Sequence, residues 1–242
     1  MSSLTYTRYE VLRTLRNRRF FIFSLIFPLV LFYVIATENR HARLDGISFP
    51  LYYMTGMIAF GAMSAVVAGG SRIAVERSLG WTRQMRITPL SVGAYFRAKL
   101  VTGYLMAAIS LVLISLAGLS LGVHLAAANW AVLAGLVLVG IAPFAVLGIL
   151  MGNLLSADSM GPALGGTVTF FALLGGSFGQ LFASGVMHQV IELLPSYWLV
   201  QASSSAIHDS GWPLEGWVVA AAWTAAFAVL GRLAYQRNTA RV

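Results

Sequence analysis

The chain has 242 residues, only 10% of them charged, and a mean hydropathy of +0.79; soluble domains carry about 25% charged residues. The apolar residues come in long runs rather than short alternating segments, which excludes a transmembrane barrel and predicts an all-α polytopic membrane protein. The net charge is +8 and cysteine is absent, which excludes disulfides, thiol catalysis and Fe–S ligation. The basic charges sit at the ends of apolar runs, so they read as a topology signal and not as a nucleic-acid footprint.

Residues 1–19 place Leu4, Tyr9, Leu12 and Leu15 between Arg8, Arg13, Arg16, Arg18 and Arg19. This spacing predicts an amphipathic helix in the cytoplasmic interface, its arginines among lipid headgroups. Span one is predicted at 20–37, kinked at Pro28 and retained, because no small-residue cleavage site follows it. A short polar loop, 38–49, leads to span two at 51–73. There Met54, Met57, Phe60 and Met63 recur every three residues. Such a stripe suits a path for varied apolar molecules, and ordinary helix packing is the simpler account.

Residues 74–91 follow, within the longest polar stretch of the chain. From 72 to 99 it holds Arg72, Arg77, Arg83, Arg86, Arg97 and Lys99 against the single carboxylate Glu76. Val75–Ile87 is expected to be helical and to stop at Thr88, before Pro89. Ser91 is placed to cap the next helix. Span three is predicted at 100–122, span four at 130–155 with Pro143 inside, a tight turn at 156–161, and span five at 162–183. Residues 185–213 are too apolar for a solvated loop. They predict two short re-entrant helices on the outer side, one ending at Pro195 and one from about Tyr197 to Ile207. The last span is predicted at 214–235.

Six spans put both termini on one side. That side holds five basic residues before span one, six between 72 and 99, and Arg232, Arg237 and Arg241 in the tail; only Arg40 and Arg43 fall opposite. The positive-inside rule therefore makes the 72–99 side cytoplasmic. Gly118/Gly122, Gly148/Gly152, Gly161/Gly165 and Gly175/Gly179 are each four apart, the close-packing pattern of membrane helices.

Chemistry of the chain's own is not evident. The one lysine, Lys99, follows Ala98 and not the glycine of a phosphate-binding loop. No carboxylate falls mid-span, which disfavours ion coupling. The histidines lack paired ligand spacing, so no metal site is expected, and no serine sits in a nucleophile-elbow context. Energy must come from outside the chain, or none is used.

The segment ERSLGWTRQMRITPLS at 76–91, lying between spans two and three of six, resembles the coupling segment of ABC-2-type transporter permeases. The matching features are the Glu76–Arg77 pair, Gly80, and the Thr88-Pro89-Leu90-Ser91 end. The amphipathic helix before span one and LPSYWLVQASSSAIHDSGWP at 194–213 fit the same family. The resemblance implies the transmembrane subunit of an ABC exporter in a bacterial plasma membrane. Two permease protomers, identical or paralogous, would pair with two separate ATPase subunits, where ATP and Mg bind; this chain would carry no cofactor. It implies that Glu76, Arg77, Gly80, Arg83, Arg86, Thr88 and Pro89 couple the permease to the ATPase. It also implies that substrate passes near spans one, two and five, where Met54, Met57, Phe60, Phe171, Phe178 and Gln180 suit an amphipathic or hydrophobic compound: a drug, an antibiotic or a lipid-like molecule. The absence of a large outer domain resembles the drug-resistance members. An unenergised scaffold or channel subunit is the alternative, which does not account for the 76–91 pattern, and an intramembrane lipid enzyme a further one, for which a cluster of Asp, His or Glu near one interface is lacking.

Overall fold

The computed structural model describes residues 3–17, 22–44, 46–81, 84, 90–180, 184–208 and 211–240. Apart from one two-residue strand pair, its regular elements are helical. They are α1 (Ser3–Leu15), a π-helical turn (Ile22–Ile26) running into α2 (Phe27–Glu38), α3 (Phe49–Ser78), α4 (Val92–Ser120), α5 (Ala127–Gly140), α6 (Ala142–Leu154), α7 (Ala157–Gly175), α8 (Val186–Glu192), α9 (Pro195–His208) and α10 (Leu214–Ala240). The polar loop expected at 38–49 contains β1 (Arg43–Leu44) and β2 (Ile47–Ser48), paired antiparallel around Gly46, whose φ is +81°.

Among the described residues, four rods are long and apolar enough to cross a membrane: Phe49–Ser78, Val92–Ser120, Ala127–Leu154 and Leu214–Arg237. The two other segments read as spans form shorter helices. For 20–37 the helix is Phe27–Glu38, continued from the π-helical turn, with Pro28 in its second position. For 162–183 it is Ala157–Gly175, about 28 Å long at 1.5 Å per residue. This helix takes in most of the tight turn expected at 156–161. Ser156 caps it by accepting from the Ser159 amide at 3.3 Å, and Asp158 in the first turn complements the helix dipole. The helix closes at Gly176, with φ +83°. The span expected at 130–155 is interrupted at Ile141, because Pro143 supplies no N–H to the Val139 carbonyl. Ser91 caps α4 as its position suggests, accepting from the Ala94 amide at 3.2 Å.

α3 is the axis of the bundle. Every residue from Tyr53 to Gly70 is buried, and α2, α4, α6, α7 and α9 pack around it. Such burial requires close backbone approach on at least one face. Gly148 and Gly152 of α6 provide it: a Cβ on Gly148 would lie 2.6 Å from the Val67 carbonyl oxygen, and one on Gly152 2.5 Å from that of Gly70. Gly69 and Gly103 do the same between α3 and α4. Of the other predicted pairs, Gly118 meets the Met54 sulfur, Gly175 meets Ser196, and Gly122 and Gly179 take positive φ at turns; Gly161 and Gly165 face open space.

The two short helices read at 185–213 are present as α8 and α9. Three indole N–H groups fix them: Trp198 donates to the Glu192 carbonyl at 2.6 Å, Trp212 to that of Trp198 at 3.1 Å, and Trp223 of α10 to that of Leu193 at 2.8 Å. The donors from Trp198 and Trp223 are spent on carbonyls at the end of α8, where backbone acceptors are otherwise unpaired, and that from Trp212 on a carbonyl in the first turn of α9.

Gly148→Ala should destabilise the protein by about 1–3 kcal/mol, because backbone cannot retreat from the new methyl. Gly161→Ala, on an open helix face, should be neutral or slightly stabilising. Thermal midpoints of the two variants in mild detergent check the contrast.

Candidate functional site

The charged end of the bundle is built from three short helical repeats. α1 presents Glu10, Arg13 and Thr14 one turn apart; the end of α3 presents Arg72 and Glu76; the start of α4 presents Tyr95 and Lys99. Spacings of three and four residues put each set on one helix face. Under them lies a small apolar cluster of Tyr6, Ile73, Tyr95 and Ala98, with Trp81, Leu90 and Phe96 packed against it. This cluster holds α1 down onto α3 and α4.

Lys99 sits at the centre. Its Nζ donates to Glu10 Oε1 and to Glu76 Oε1, both at 2.7 Å, and its side chain is 1% exposed. The Tyr95 hydroxyl donates to Glu76 Oε2 at 2.6 Å, and Arg13 Nη1 reaches Glu76 Oε1 at 3.1 Å from a side chain that is 53% exposed. Lys99 also stands 5.2 Å from the Tyr95 ring centre, within cation–π range. The set is electrically balanced, with two carboxylates and two cations. Burial pushes the Tyr6 phenol well above its ordinary range, and the nearby Glu10 and Glu76 carboxylates add to this, so it stays protonated.

Arg72 donates to the Thr14 hydroxyl at 2.6 Å, a further tie between α3 and α1. Arg77 points the other way. Its Nη1 lies 3.0 Å from the Gly152 carbonyl, 2.6 Å from that of Asn153 and 3.4 Å from that of Leu155. A cation there satisfies the unpaired carbonyls at the end of α6 and complements its dipole.

The expected coupling residues are thus divided. Glu76 and Arg77 lie on the last turn of α3 itself, which runs past the expected end of span two at Ile73 to Ser78. Gly80 turns the chain just beyond, at φ +73°, a conformation that favours glycine, and among the described residues a Cβ there would have no neighbour within 4 Å. Arg83, Arg86, Thr88 and Pro89 lie outside the described residues.

The six residues read as a substrate path are also not on one surface. Met54 and Met57 are fully buried in the core of this chain, as is Met63. Phe171 sits edge-on to Phe144 at 5.3 Å. Gln180 lines a small cavity of about 130 Å³ with Tyr52, Thr55 and Gln201. Phe60 packs on Phe178 at 5.2 Å and borders a separate, larger cavity of about 620 Å³ between the π-helical turn and α2, α3 and α7.

Glu10 and Tyr95 were not read as site residues from the sequence, and Lys99 was read only as part of the basic stretch. The available signal was the one lysine of the chain and the one carboxylate of α1.

A bundle of apolar rods around one fully buried helix, with its buried charges gathered at one end, defines a helical integral membrane protein. The chain belongs to the ABC-2 transporter family: the model of the ABC-2 family transporter protein matches residues 43–234. It is 28% identical over 192 residues to the Bacillus subtilis (strain 168) protein named "Putative transport permease YvfS", covering 78% of each chain. Membership makes it a transport subunit of a membrane, and ABC-2 permeases generally work with ABC ATPase subunits.

Lys99→Met should destabilise the protein by about 3–5 kcal/mol, since it leaves two buried carboxylates facing each other. Arg13→Ala, at the exposed edge of the same set, should shift stability by less than about 1 kcal/mol. Chemical unfolding in detergent, followed by tryptophan fluorescence, measures both.

Proposed function

We propose that this chain is the permease subunit of an ATP-driven exporter that moves an amphipathic or hydrophobic compound out of a bacterial cell. Two permease protomers would assemble with two separate ATPase subunits, which supply the ATP and Mg chemistry. Both termini and the 72–99 stretch would face the cytoplasm, by the distribution of basic residues.

The observation that carries this reading is the continuity of α3. One rigid helix ends in Glu76 and Arg77, passes fully buried through the centre of the bundle, and reaches the opposite end at Phe49. A push on the segment after Ser78 therefore acts directly on the central rod. Lys99 ties that rod to α1 and α4 at the point where the push would arrive. Drug-like substrates are supported by the cavity beside Phe60, which is mostly apolar and falls in the usual size range of small-molecule sites, about 300–1,000 Å³.

Purification from the native membrane in mild detergent should bring down a soluble ATPase in stoichiometric amount. Arg83→Glu should weaken that association and lower transport severalfold, with membrane insertion unchanged. Tyr95→Phe, which removes one hydrogen bond to Glu76, should leave the association intact and lower the transport obtained per ATP hydrolysed. A chain that emerges alone under conditions that preserve membrane complexes would refute the exporter reading and favour an unenergised scaffold or channel subunit.

A further inference from the structure

The cavity beside Phe60 has a charge asymmetry that its apolar walls do not require. Among the described residues lining it, Arg72 is the single charged group and there is no carboxylate. Phe27, Phe60, Leu164 and Val168 supply most of the wall farther from Arg72, with the side chains of Ser64 and Thr169 among them. Arg72 and Phe60 lie on the same helix, about 18 Å apart at 1.5 Å per residue. The cavity is therefore cationic at one end and mainly apolar at the other, over the length of a small amphiphile. Across from α3, Gly161 and Gly165 leave room, since a Cβ on either would meet nothing within 4 Å.

The state of Arg72 fits a waiting anion. It is half-buried, and Thr14, a neutral acceptor, takes one of its N–H groups. Among the described residues no carboxylate lies within ion-pair distance of it, whereas Arg13 and Lys99 nearby are both paired with Glu76. A half-buried guanidinium has five donors in a planar fork, and a carboxylate, sulfate or phosphate can accept from two of them at once. A cationic amphiphile in the same cavity would meet Arg72 with no counter-charge.

We infer that this cavity binds a single-tailed anionic amphiphile, with its head on Arg72 and its apolar body along Phe60 and Val168. The inference rests on the exporter reading only in calling that ligand the transported class; the binding itself needs no ATPase.

The test uses the purified chain alone in phosphatidylcholine nanodiscs. The probe is a dansyl-labelled undecanoate, compared with its neutral amide and a trimethylammonium analogue of equal length, all followed by dansyl fluorescence. The carboxylate should bind about tenfold tighter than the ammonium compound, the range expected for one charge-assisted contact. Arg72→Gln should abolish the preference, and Arg72→Lys should keep part of it. Thr14→Val, which removes the bond between α1 and Arg72 but not the charge, should leave the preference intact and so separate ligand binding from the structural role. Gly165→Trp should block the probe with the oligomeric state unchanged.

Equal binding of carboxylate and ammonium, or a preference that survives in Arg72→Gln, would overturn the assignment. So would displacement of the probe by phosphatidylglycerol at about a fifth of the lipid, which would make this a headgroup site. A change of oligomeric state in Gly165→Trp without loss of probe binding would overturn it too, giving the open helix face to a second copy of the chain. Anion-selective binding by a chain that recruits no ATPase would sink the exporter reading and leave the ligand assignment standing.

Discussion

The structure depends on an ammonium group held between two carboxylates in a nearly water-free site. Lys99, Glu10 and Glu76 come from three different helices, and none of them is tolerable there without the others. A buried charge is expensive and directional, so it does what apolar packing cannot: it sets one register between α1, the end of α3 and the start of α4. The Tyr95 hydroxyl takes up the second oxygen of Glu76, and Arg13 closes the outer edge. The result is a rigid joint at the end of the bundle where the polar 78–91 stretch begins.

That joint matters because of what α3 is. A helix buried from Tyr53 to Gly70 cannot slide or tilt without disturbing several neighbours at once. Glycines let α6 and α4 approach its backbone, which removes the side-chain cushion that would absorb a displacement. Arg77 then locks the end of α6 to the end of α3 through three carbonyls. The charged end and the centre of the bundle form one mechanical unit, which suits a permease whose energy arrives from another subunit. The open cavity lies on the one flank of α3 where α7 presents glycines to empty space, so the rod is rigid along its length and bordered by room for a ligand.

Much of this was legible in the sequence. The apolar runs located the rods, because helix length in a membrane is set by hydrocarbon thickness and leaves a composition signal. Ser91 as a cap, the two short helices before and after Pro195, and the 76–91 pattern were readable because each rests on neighbours within a few residues. The boundaries were less legible. The helix expected to end at Ile73 continues to Ser78, since Glu76 and Arg77 are satisfied by other helices and have no need of water. Ser156 and Asp158 begin α7 before Pro162, because the cap and the first-turn carboxylate act locally; the proline then lies inside the helix, where it withholds only the N–H that would pair with the Asp158 carbonyl. Met54 and Met57 looked like a lining, yet periodicity alone cannot tell a core face from a path face; only the placement of α4 and α2 buries them.

The sequence by itself determined the class of protein, the side on which its basic residues gather and the family it belongs to. Hydropathy, charge bias and motif spacing are sums over local residues and survive without a fold. The tertiary structure decided the ion cluster, the capping of α6 by Arg77 and the separation of the Phe60 cavity from that of Gln180. Lys99 meets Glu76 across 23 positions and Glu10 across 89. No local pattern encodes such a meeting, because the energy of a buried charge depends on which partners the packing brings within 3 Å and on how completely it removes the water.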